Sequence, residues 1–138
     1  MFQVITDTSA NLPSELAQRN DITVIPFPYF VNGAPHTCLD TEGFDGQTFY
    51  GTMREGAEVT TSQINPQRYL DVMKPILRKG LDILFVGMSS GISGSFHCAE
   101  LAAEGLSKRG ILLGASFFAS NLMFLSYYSR INLVLVSC

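Results

Sequence analysis

A chain of 138 residues with a net charge of −3 and nine Lys plus Arg is long enough for one domain with a buried core, yet it carries no basic stripe for nucleic acid. Cys38, Cys98 and Cys138 are odd in number, far apart and free of any C-x-x-C, which argues against a disulfide framework and a zinc site and fits a reducing cytoplasm. Met1-Phe2-Gln3-Val4 opens directly on strand-forming residues, without the basic stretch and apolar core of a signal peptide.

Phe2 to Thr6 is predicted to be a first strand, and Asp7-Thr8-Ser9-Ala10-Asn11 a polar turn after it. A short helix from Pro13 to Arg19 follows, with Pro13 in the first turn, where its missing N–H costs nothing. Ile22-Thr23-Val24-Ile25-Pro26 and Tyr29-Phe30-Val31 read as further strands, and Asn32-Gly33 is a strong hairpin dipeptide leading to Pro35-His36-Thr37. Thr41 to Asp45 leads into a helix to about Met53, which Arg54 to Glu58 ends, and Thr60-Thr61-Ser62-Gln63 is read as a polar turn. Pro66 opens a helix whose apolar positions Tyr69, Leu70, Val72, Met73, Ile76 and Leu77 recur at helical spacing and so describe a core face. After Lys79-Gly80, a helix stop, Leu81 to Val86 is the short apolar run of a buried parallel strand, and Phe96 to Lys108 is rich in Ala, Leu and Glu, as a helix is.

Strands alternating with helices at this spacing predict an α/β domain with a mainly parallel sheet flanked by helices, in which ligands sit beyond the carboxyl ends of the strands. Three hydroxyl-rich turns are expected at that edge: Asp7 to Asn11, Thr60 to Gln63, and Ser89-Ser90-Gly91-Ile92-Ser93-Gly94-Ser95. The last stands where a strand gives way to a helix, where free N–H groups and the macrodipole favour an anion and glycines let it approach the backbone. Neutral donors around one small anion suit a carboxylate better than a triphosphate, and no G-x-x-x-x-G-K-[ST] is present. No cofactor or metal is expected.

Gly87-Met88-Ser89-Ser90-Gly91 also satisfies G-x-S-x-G between a strand and a helix, which raises a serine hydrolase using Ser89. Such a triad needs an acid and then a His downstream, and the one downstream His is His97, expected within the following helix and badly placed to reach back. His36 reads as a surface or edge residue, and Cys38 and Cys98 as plain thiols. Asp40, Glu42 and Asp45 match no metal-binding loop and are better explained as a helix start. Phe27, Tyr29, Phe30, Phe44, Phe49 and Tyr50 are core or interface candidates.

Four segments in order, Ile5-Thr6-Asp7-Thr8-Ser9-Ala10-Asn11-Leu12-Pro13, Ile22 to Pro26, Thr60 to Gln63 and Ser89 to Ser95, resemble the N-terminal domain of the DegV family over about residues 2 to 105. The resemblance implies a bacterial cytoplasmic protein that binds a long-chain fatty acid and presents it to a fatty acid kinase, with the acyl carboxylate held by hydroxyls and the tail in an apolar tunnel. Carried onto this sequence, it makes Thr61, Ser62 and Ser93 the head-group ligands, with Gly94 giving backbone access beside them.

DegV proteins are about twice this length and hold the fatty acid between two domains. The expected organisation here is therefore a DegV-like α/β domain over residues 1–110, a missing second domain, and an atypical apolar tail over 111–138 that resembles a truncation or reading-frame change. From Gly110 to Ser129 there is no charge, a length that suits a bilayer, but Ser116, Ser120, Asn121 and Ser126 interrupt it and argue against a membrane span. If the tunnel has lost a wall, fatty-acid binding is impaired; the competing reading is a non-binding remnant or interaction module.

Overall fold

The structure, a computed structural model, describes residues 1–37 and 44–106 and the backbone of 111–116. Strand β1 (Phe2–Asp7) starts the main sheet, and its buried end passes into a 3-10 turn over Thr8–Ala10. Asn11 closes that turn at φ 46°, a left-handed conformation that its short polar side chain tolerates. Helix α1 (Ser14–Arg19), entered through Pro13, carries the chain back to β2 (Thr23–Ile25), which pairs parallel with β1.

The chain then leaves the main sheet. Strands β3 (Pro28–Val31) and β4 (Ala34–Thr37) form the expected hairpin, with Asn32 and Gly33 at φ 50° and 79°, both positive as its tight turn requires. Helix α2 (Gly46–Arg54) begins at Asp45, whose carboxylate accepts from the Thr48 N–H at 3.0 Å and the Thr48 hydroxyl at 2.6 Å. Those two bonds hold the Asp45 pKa below its ordinary value. Next comes β5 (Val59–Thr61), antiparallel to β3, so the small sheet runs β4-β3-β5. The Thr60-Thr61 pair, expected in a turn, is thus strand. A three-residue polar segment shows no alternation of its own and becomes a strand because β3 offers it a free edge.

Helix α3 (Pro66–Arg78) starts as expected, with the Asn65 side chain accepting from the Arg68 N–H at 2.9 Å and Pro66 in the first turn. It buries Tyr69 and Met73 and leads to β6 (Asp82–Met88), on the other side of β1 from β2. Helix α4 (Ser95–Gly105) buries Cys98, Ala99, Ala102 and Ala103, small residues that allow close packing beside α3. Strand β7 (Ile111–Ser116) pairs parallel with β6 and completes the order β2-β1-β6-β7. The sheet therefore runs past residue 110, because Ile111-Leu112-Leu113 is itself a parallel-strand run.

The core lies where α3 and α4 cover this sheet: Ile5, Ile25, Ile83 and Phe85 from strands, with Tyr69, Met73, Phe96 and Ala99 from helices. Phe85 is central, its ring 5.3 Å from that of Tyr69, edge to face, and 6.1 Å from that of Phe96. Cys98 is a buried free thiol whose pKa burial pushes up. Between the small sheet and α2 lies a cavity of about 410 Å³ lined by Tyr29, His36, Phe44, Thr48, Phe49 and Thr52. His36, on the edge strand as expected, stacks on Tyr29 at 5.2 Å. Cys38, Asp40, Glu42, Cys138 and most of the charge-free stretch lie outside the described residues. Among those described, no helix is long and apolar enough to cross a membrane, and no three His, Cys, Asp or Glu side chains are grouped to hold a metal.

Candidate functional site

From β1 the chain crosses through α1 to one side of the sheet, and it later returns to the other side at β6. The crevice beyond the carboxyl ends of β1 and β6 is therefore the point where strand order reverses, the usual ligand position in an open α/β sheet. Two of the three expected turns, Asp7 to Asn11 and Ser89 to Ser95, emerge there side by side.

Asp7 joins them. Its carboxylate is 1% exposed; one oxygen accepts from the Ser9 N–H at 2.9 Å and from the Ser9 hydroxyl, the other from the Met88 N–H at 3.1 Å. A buried carboxylate needs such donors, and these fix the end of β6 just where the Ser89 turn departs. The adjoining Gly87 is required, since a Cβ there would sit 2.7 Å from the Asp7 Oδ2 and still closer to the Phe85 ring.

The turn is folded on itself by the Ser89 carbonyl, which accepts from the Ile92 N–H at 2.9 Å and the Ser93 N–H at 3.1 Å. Ser93 is half-buried; its Oγ accepts from the Ser95 N–H at 3.2 Å and lies 3.0 Å from the Ser95 Oγ. Ser95, wholly buried at the start of α4, accepts from the Ile64 N–H at 3.0 Å. Beside it the Gln63 carboxamide covers Gly94 so closely that a Cβ at Gly94 would collide with its oxygen. Gln63 is exposed, and its amide is the movable end of a flexible side chain resting on the face expected to give backbone access.

These contacts clasp the Thr60 to Gln63 segment to the Ser89 to Ser95 turn across a long stretch of chain. Thr61, exposed at the end of β5, stands directly opposite Tyr29 in the ladder. Ser62 is exposed too, its N–H donating to the Pro28 carbonyl at 3.1 Å and its hydroxyl 3.4 Å from the Gln63 carbonyl. Thr61 and Ser62 thus lead into one half of the clasp, and Ser93 with Gly94 forms the other. Gln63 and Ser95, which build it, were in plain view within the two motifs, but nothing in the linear pattern separated them from their neighbours.

Ser89 shows no hydrolase geometry among the described residues. A nucleophile elbow turns directly from strand into helix, whereas Ser89 to Gly94 intervene here, and the Ser89 Oγ accepts from the Gly91 N–H at 3.3 Å. His97 lies on α4 with its Nδ1 3.3 Å from the Glu100 carboxylate.

A family profile described as an uncharacterised protein of the DegV family matches residues 1–127. The chain belongs to the DegV family. A DegV domain-containing protein, YteA, of Lactococcus lactis is 29% identical over 103 residues, which are 75% of this chain and 36% of that protein. A solved DegV family protein from Thermus thermophilus, described as fatty-acid binding, superposes with a TM-score of 0.73 at 29% identity, covering 83% of this chain and 40% of its own. DegV of Bacillus subtilis, described as a fatty acid binding protein, gives 0.66 at 26% identity over 82% of this chain and 39% of that one. The chain thus spans well under half the length of the DegV relatives it matches, and the parallel sheet with its helices is the part they share.

Proposed function

We propose that this chain binds a long-chain fatty acid by its carboxylate, through the hydroxyls of Thr61, Ser62 and Ser93 and the backbone beside Gly94, and presents it to a fatty acid kinase. The observation that supports the reading is the clasp beside the strand-order reversal, where the Ile64 N–H donates to the Ser95 hydroxyl and so ties the two hydroxyl-bearing segments, Thr60 to Gln63 and Ser89 to Ser95, together. Two relatives of the same fold described as fatty-acid binding support that choice of ligand. Hydroxyl donors match a carboxylate and leave a phosphate chain unneutralised.

The test is to purify the whole 138-residue chain, extract it with organic solvent and identify bound acids by mass spectrometry. A co-purifying long-chain fatty acid is expected, and the Thr61→Ala, Ser93→Ala double variant is expected to lose it. Unchanged retention in that variant would remove both residues from the site. A clean protein that aggregates would replace the reading with a non-binding interaction module.

A further inference from the structure

The fatty-acid reading leaves Ser95 without a role, although it is among the most deeply buried polar side chains described and its oxygen touches both halves of the clasp. A hydroxyl has one proton to give and two lone pairs to fill. The Ser95 Oγ receives the Ile64 N–H at 3.0 Å, and across its 3.0 Å contact with the Ser93 Oγ either hydroxyl can donate. If Ser93 donates, the Ser95 proton is left in the protein interior with no acceptor among the described residues. If Ser95 donates, its own proton and the Ile64 N–H are both satisfied, and the Ser93 oxygen receives two donors, the Ser95 O–H and the Ser95 N–H at 3.2 Å. The Ser93 proton then points away from the core, towards the half-buried side where the turn meets solvent.

We propose that Ser95 is a positioning residue that orients the Ser93 hydroxyl as a donor, so that Ser93 meets an anionic head group with its proton already turned outward. This rests on the fatty-acid reading for the identity of the anion. A donor preset in this direction costs nothing to reorganise when the anion arrives, and a hydroxyl that accepts two hydrogen bonds is polarised into a stronger donor for a third. No covalent bond changes; only the direction of two O–H bonds is fixed. The Ile64 N–H, at the far end of the chain Ile64 to Ser95 to Ser93, feels the charge placed at Ser93.

The experiment follows the backbone amide proton of Ile64 by NMR in the 138-residue chain, with stearate as the probe and methyl stearate as the uncharged control. Stearate is expected to shift the Ile64 resonance downfield, methyl stearate to leave it in place, and Ser93→Ala to abolish the response. In parallel, Ser95→Ala is expected to weaken stearate about tenfold in otherwise wild-type protein, the size of one hydrogen bond, and to have no further effect when Ser93 is already Ala. Ser95→Thr, which keeps the hydroxyl, is expected to restore binding. A Ser95→Ala penalty that persists undiminished beside Ser93→Ala would overturn the proposal, as would an Ile64 resonance indifferent to bound stearate. Stearate that fails to bind the wild-type chain defeats the fatty-acid reading instead. The relay is then judged without ligand: Ser93→Ala removes the acceptor of the Ser95 proton and must move the Ile64 resonance, and an unmoved resonance overturns it.

Discussion

Tyr69 holds a buried hydroxyl with no hydrogen-bond partner among the described residues. Burial first, then the negative charge of Asp7 and that of a Cys98 thiolate, raise its pKa above the ordinary value of 10.0. The folded chain therefore keeps a proton that the unfolded chain gives up. The stability this proton carries is whole below about pH 10 and is lost as pH rises from there towards the folded-state value. Tyr69→Phe removes the orphan hydroxyl and the titration together. Urea unfolding at neutral pH is expected to show stability unchanged or raised by about 1 kcal/mol, with the alkaline loss much reduced. A marked drop at neutral pH would mean that the hydroxyl is satisfied after all.

Strand β6 shows how far local pattern reaches and where it stops. Its apolar run was legible as a buried strand, as were the Asn32-Gly33 hairpin and the core face of α3, because each is specified by neighbours within one turn or a few residues. The need for Gly87 was not legible: it comes from the Phe85 ring and from the Asp7 carboxylate on the adjacent strand. Gly87→Ala is expected to cost roughly 1–3 kcal/mol by forcing that ring and carboxylate aside, and it should weaken the Met88 N–H bond to Asp7 as well. A thermal melt checks this, and an unchanged midpoint would show that the contact relaxes freely. The site followed the same rule. Thr61, Ser62, Ser93 and Gly94 are proposed from the family resemblance that two motifs carry, while the Ile64 to Ser95 bond joins residues 31 apart and exists only once the sheets have formed.

At the scale of the molecule, the proposed head-group residues belong to two different bodies of structure. Thr61 ends the small antiparallel sheet, and Ser93 hangs from the main parallel one. A ligand gripping both is expected to hold them together, and saturation at about a hundred times Kd adds about 2.7 kcal/mol to stability. Thermal melts with and without stearate measure this: the wild-type midpoint should rise, and that of the Thr61→Ala, Ser93→Ala variant should stay where it is. A rise in both would locate the acid elsewhere. One pairing in the small sheet carries this coupling into spectroscopy. The chain has no tryptophan and five tyrosines, and Tyr29 stands across the ladder from Thr61, on the same face. The proposed head-group end thus has a natural chromophore at its shoulder, and occupancy there is expected to alter the light that the unlabelled protein absorbs and emits.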